Sequence, residues 1–110
     1  MSSLIPGRND PERQFRNNLH TVLRSLEESI EDLLENFWEE PLRRHTHELA
    51  ASILDGCKAF GYLELASVAR AMTSLLALQM EDVLTLQRAL TEKLRELLGL
   101  MKEMAKLLVA

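Results

Sequence analysis

The sequence predicts an all-α fold, an antiparallel up-down four-helix bundle. Three observations carry this. Apolar residues recur at alternating spacings of three and four along most of the chain, as amphipathic helices require. Residues are 46% hydrophobic but only 5% aromatic, and leucine dominates, a balance that suits packed helices better than a β-sandwich. Stop signals cut the pattern at Glu39-Glu40-Pro41 and at Gly61, so the connections are short and neighbouring helices run in opposite directions. The 110 residues make one domain, with residues 1–9 expected to be a flexible lead-in and 10–110 the bundle.

The first helix starts at Asp10-Pro11, an N-cap followed by proline at the first helical position. It is expected to run to about Asn36, with Phe15, Leu19, Val22, Leu23, Leu26, Ile30, Leu33, Leu34 and Phe37 on the inward face. Glu27, Glu28, Glu31, Asp32 and Glu35 form an acidic outer face, which reads as a solvated surface or, more sharply, as a docking face for a basic partner. Phe37-Trp38 is expected to cap one end of the bundle. The second helix runs from about Pro41 to Phe60, and its stripe Leu49, Ile53, Cys57 and Phe60 faces the core. Gly61 ends it, because glycine takes the left-handed conformation without a Cβ penalty.

A third helix follows with Leu65, Val68, Ala69, Met72, Leu75 and Leu76 inward. No Gly, Pro or Asn lies between Tyr62 and Arg95, and the spacing continues through Gln79, Val83, Leu86, Leu90 and Leu94. A compact domain needs a turn in this stretch, and it is placed near Leu78–Glu81, with Glu81 and Asp82 in the favourable first turn of a fourth helix. That helix runs to about Leu108, with Leu97, Met101 and Met104 inward. A monomer is the expectation; without the turn, one long helix would drive a dimer through the third and fourth helices.

Charge and motifs exclude several functions. The net charge of −4 is spread over interspersed residues with no basic stripe, which argues against nucleic-acid binding. No run of ~20 apolar residues offers a membrane span. The N-terminus lacks the basic and apolar regions of a signal peptide, so a cytoplasmic protein, or a domain excised from one, is expected. There is no Gly-rich phosphate loop, no His-Glu-x-x-His pair and no serine elbow, so the chain is not expected to be an enzyme. His45 and His47 stand about 200° apart on a helix and cannot share a metal, and no metal or cofactor is expected. Cys57 lies on the apolar stripe and reads as a packed thiol. His20 reads as structural, and His45, nearer the apolar stripe, as a boundary core residue.

The run Ser-Ile-Leu-Asp-Gly-Cys-Lys-Ala-Phe-Gly-Tyr at 52–62, followed by Leu65 and Leu75-Leu76, resembles a histidine phosphotransfer (HPt) domain. It is most similar to the N-terminal phosphotransfer domain of bacterial CheA-type chemotaxis kinases. The family motif is His-x-Leu/Ile-Lys-Gly, then a small residue, then Phe/Leu-Gly. In an ungapped register Phe60-Gly61, Cys57 and Ile53 match, but the phospho-acceptor becomes Ala51, the lysine Leu54 and the glycine Asp55. In a second register His47 is the acceptor and Leu49 the apolar residue, with Ala50 and Ala51 replacing lysine and glycine. Four extra residues then separate it from Phe60, roughly 400° of rotation and so only about 40° of lost phase. Arg43, one turn before His47, would partly replace the missing cation.

The resemblance implies an HPt-like signalling module of a two-component or chemotaxis-type pathway, degenerate at its acceptor and partnered by a receiver or histidine-kinase domain. Its partner surface would be Ala51, Leu54, Asp55 and Lys58, and His47 its possible phospho-acceptor. The competing expectation, from another class, is a helical adaptor or dimerisation domain unrelated to phosphorelay.

Overall fold

The computed structural model describes residues 10–109, so the lead-in expected at 1–9 lies outside the described residues. Four helices follow one another: α1 (Pro11–Glu35), α2 (Glu40–Phe60), α3 (Leu63–Leu76) and α4 (Met80–Val109). No strand occurs among the described residues. Each helix packs on two neighbours, in the ring order α1, α2, α3, α4 and back to α1. Side-chain pairings give the directions. Tyr62, just past α2, donates to Glu12 at the start of α1. Arg43 at the start of α2 donates to the Leu78 carbonyl, just past α3. Lys102 near the end of α4 meets Glu27 in the middle of α1, and Arg95, further back in α4, lines a hollow with Glu35 at the end of α1. Neighbours therefore run oppositely.

The helix ends follow from local chemistry. Asp10 Oδ1 accepts from the backbone N–H of Glu12 (3.0 Å) and of Arg13 (3.3 Å), and Pro11 needs no N–H in that turn. α1 ends in a Schellman turn, in which the Trp38 N–H reaches back to the Leu33 carbonyl at 2.9 Å. Phe37 and Trp38 take left-handed backbone there, with φ of 55° and 60°. This reverses the expectation for Phe37. The turn throws its ring into solvent, 76% exposed, and carries Trp38 inward to full burial. Trp38 thus caps the end of the core, although its indole N–H finds no acceptor among the described residues. α2 ends at Gly61 with φ 78°, as expected, and the Tyr62 N–H closes on the Cys57 carbonyl at 2.9 Å.

The turn between α3 and α4 occupies 77–79, starting one residue and ending two residues earlier than expected, and Glu81 and Asp82 do lie in the first turn of α4. α4 has a kink at Leu86 (φ −111°, ψ 16°), and no side chain between Val83 and Leu94 is buried. Leu86, expected inward, is accordingly 49% exposed. The molecule measures 58 × 23 × 18 Å.

The core runs the length of the bundle: Leu19, Leu26, Ile30 and Leu33 from α1, Ile53 and Cys57 from α2, Met72 and Leu76 from α3, Val83, Leu94 and Met101 from α4. Phe60, expected in it, is only half-buried. It stands at the bundle end with Phe15 (centroids 5.8 Å apart), which in turn stacks on Tyr62 (6.0 Å). Phe15 reaches α2 because Gly56 opposite it has no Cβ; one added there would collide with the ring.

Candidate functional site

The rotation of α2 decides which of its residues a partner can reach: Ala50, Ile53 and Cys57 turn into the core, and Thr46 on the same face meets Ser29 of α1 in a buried polar pair. Thr46 is fully buried and its hydroxyl lies 2.6 Å from that of Ser29 on α1. The Thr46 hydroxyl also donates to the Leu42 carbonyl at 2.7 Å. A threonine has one hydroxyl hydrogen, so Ser29 is the donor in the pair. Because Thr46 points inward, its two neighbours flank it. His45 is exposed, contrary to the expected boundary core position, and His47 is half-buried on the side of α3. A stripe read from Leu49 misses this; Thr46 continues the buried face of Ala50, Ile53 and Cys57 at helical spacing, and Ser29, 17 residues away, satisfies its hydroxyl.

From His47 a single stripe continues along α2 through Ala51, Leu54, Asp55 and Lys58, all within about 100° on the helical wheel. Ala51 and Leu54 are half-buried, with Leu54 packed against the core, while Asp55 and Lys58 are exposed. Leu54 is therefore an apolar shoulder rather than a free side chain. Lys58 also lies in the last turn of α2, where a cation suits the helix dipole.

Around His47 the ends of two helices make a shallow hollow, lined by Glu40, Arg43, Arg44 and His47 of α2 and by the chain at 76–78. Arg43 is engaged with the Leu78 carbonyl (3.2 Å), and Arg44 pairs with Glu40 (2.7 Å) on the surface. The hollow thus holds two guanidinium groups near one imidazole, both already partnered. Lys58 is eleven residues from His47, ~16 Å along the axis, and cannot share a ligand with it.

Two titratable groups away from the hollow are held in the packing. Cys57 is fully buried, and desolvation pushes its thiol up to about 11. Tyr62 is raised by burial and by its bond to Glu12. Among the described residues no three His, Cys, Asp or Glu side chains converge as metal ligands would. No described helix is long and apolar enough to cross a membrane. Compared with protein-family models, curated proteins and solved structures, the chain matches none.

Proposed function

We propose that the chain is a signalling module of the HPt kind that docks a receiver or histidine-kinase domain along α2 and carries little or no phosphate. The observation that supports this best is the stripe His47, Ala51, Leu54, Asp55 and Lys58 on the second helix of a four-helix bundle. Its middle is small at Ala51, which lets a partner come close to the helix. Leu54 offers an apolar shoulder, and Asp55 and Lys58 offer charges of both signs to fix register. At the place where the family keeps its acceptor stands Ala51, which has no nucleophile. The module does no chemistry of its own; any transfer would be catalysed by the partner.

One observation favours a second reading, in which His47 does accept phosphate. Arg43 and Arg44 line the same hollow as its ring, and guanidinium groups neutralise phosphate well. Their existing partners weigh against it, since phosphate would compete with the Leu78 carbonyl and with Glu40. The two readings separate on one assay. The chain is incubated with acetyl phosphate and with a purified histidine kinase, and acid-labile, base-stable phosphate is read by intact mass. The first reading expects less than a few per cent of the chain modified. Substantial modification that His47→Gln abolishes would establish the second.

A further inference from the structure

We propose that the turn between α1 and α2 is a separate docking point, at which Phe37 inserts into an apolar pocket rimmed by Lys and Arg on a partner protein. This does not rest on the reading of α2. Phe37 holds the helix-ending position where glycine is ordinarily found, because at φ 55° a Cβ crowds the following carbonyl. The hydrogen bonds of that turn are made by backbone groups and by Asn36, so the turn itself does not need a phenyl ring. Packing does not need it either. Trp38 fills the core at full burial, while the Phe37 ring beside it is 76% exposed.

The surroundings of the ring identify the partner's chemistry. From Glu27 through Leu42 the chain carries seven acidic residues and no Lys, Arg or His. Glu27 and Glu40 are paired with Lys102 and Arg44. Glu31, Asp32, Glu35 and Glu39 are exposed and make no ion pair among the described residues. An exposed aromatic ring flanked along the chain by these unpaired carboxylates, Glu35 two residues before it and Glu39 two residues after, matches a complementary surface with an apolar centre and a cationic rim. A second copy of this chain fits poorly: the hollow that sets Arg95 and Lys102 around Ile30, Leu34 and Leu98 is lined by Glu27, Glu31 and Glu35 as well, and the one between Arg24, Lys102 and Lys106 has only the buried Leu23 as an apolar floor.

The test places the photo-crosslinker benzoylphenylalanine at position 37 of the full chain in its native host cells, with the same group at Leu63, 75% exposed, as the control. The protein captured from position 37 is identified, purified and titrated with the chain. Phe37→Ala is expected to weaken binding by about 30-fold or more, the loss typical of a hot spot. Phe37→Gly is expected to weaken it as much while raising the thermal midpoint by about 4 °C or more, because the strained backbone is relieved. The pair Glu35→Gln and Glu39→Gln should slow association at low salt and have no effect in 1 M salt. The proposal is overturned if position 37 captures nothing, captures the same proteins as position 63, or captures only lipid or a second copy. It is equally overturned if Phe37→Gly is stabilised but binds the captured protein within about threefold of wild type.

Discussion

Ser29 and Thr46 are the only side chains that pair hydroxyl to hydroxyl in the described interior, and they join α1 to α2 at one register. Three variants test this. Ser29→Ala leaves the Thr46 hydroxyl still donating to the Leu42 carbonyl, so only one accepted bond is lost. The expected cost is about 1 kcal/mol. Thr46→Val keeps the shape but leaves the Ser29 hydroxyl, on a residue 5% exposed, without its acceptor. The expected cost is about 1–3 kcal/mol, the desolvation penalty of an unsatisfied buried group. The double variant leaves no orphan and buries only apolar atoms, so it is expected to lie within about 1 kcal/mol of wild type. The coupling between the two sites is then about 2–4 kcal/mol if the double variant matches wild type. Urea unfolding followed by the fluorescence of Trp38, the chain's one tryptophan, reads all three, with an unchanged denaturant slope confirming a common transition. Losses that add to within about 0.5 kcal/mol would mean that the hydroxyls do not act as a pair, and the account of how α1 and α2 are joined would fail.

Two further outcomes follow from burial. Ile53→Ala, at a site 1% exposed, should cost about 2–5 kcal/mol, whereas Phe60→Ala should cost less because the ring is half in water; chemical unfolding of both variants checks the order. Cys57 should resist iodoacetamide at pH 8 in the folded protein and react once urea unfolds it. Its thiol is raised in the fold from 9.0 to about 11, so the unfolded chain loses this proton first as pH rises. The associated stability is fully present below pH 9 and is lost between pH 9 and about 11, a fall that Cys57→Ala should lessen.

What was legible in the sequence depended on whether the determining contacts were local. The start of α1 is written in Asp10-Pro11, and the end of α2 in Gly61, since caps are made by residues within one turn. The α3–α4 turn has no glycine or proline to mark it. Arg43 helps to hold it from across the bundle, and no local pattern encodes that contact. At Phe37 the three–four spacing points inward, but the left-handed turn begins at that residue and exchanges it with Trp38. The spacing at Leu86 fails for a similar reason, because the helix kinks there. Within the candidate site, helical periodicity was enough to bring Ala51, Leu54, Asp55 and Lys58 onto one stripe. It did not say which of His45 and His47 turns toward the bundle, because that depends on the end of α3 lying beside His47.

The central claim is that α2 docks a signalling partner without phosphate, and calorimetric titration with an unphosphorylated receiver domain from the same host tests it most directly. The account predicts measurable binding by the wild-type chain. Lys58→Glu should weaken it by about tenfold at low salt, as charge reversal at an interface does, and His47→Gln should leave it within about twofold. Binding that is indifferent to Lys58→Glu but lost in His47→Gln would contradict the account and return the function to the histidine.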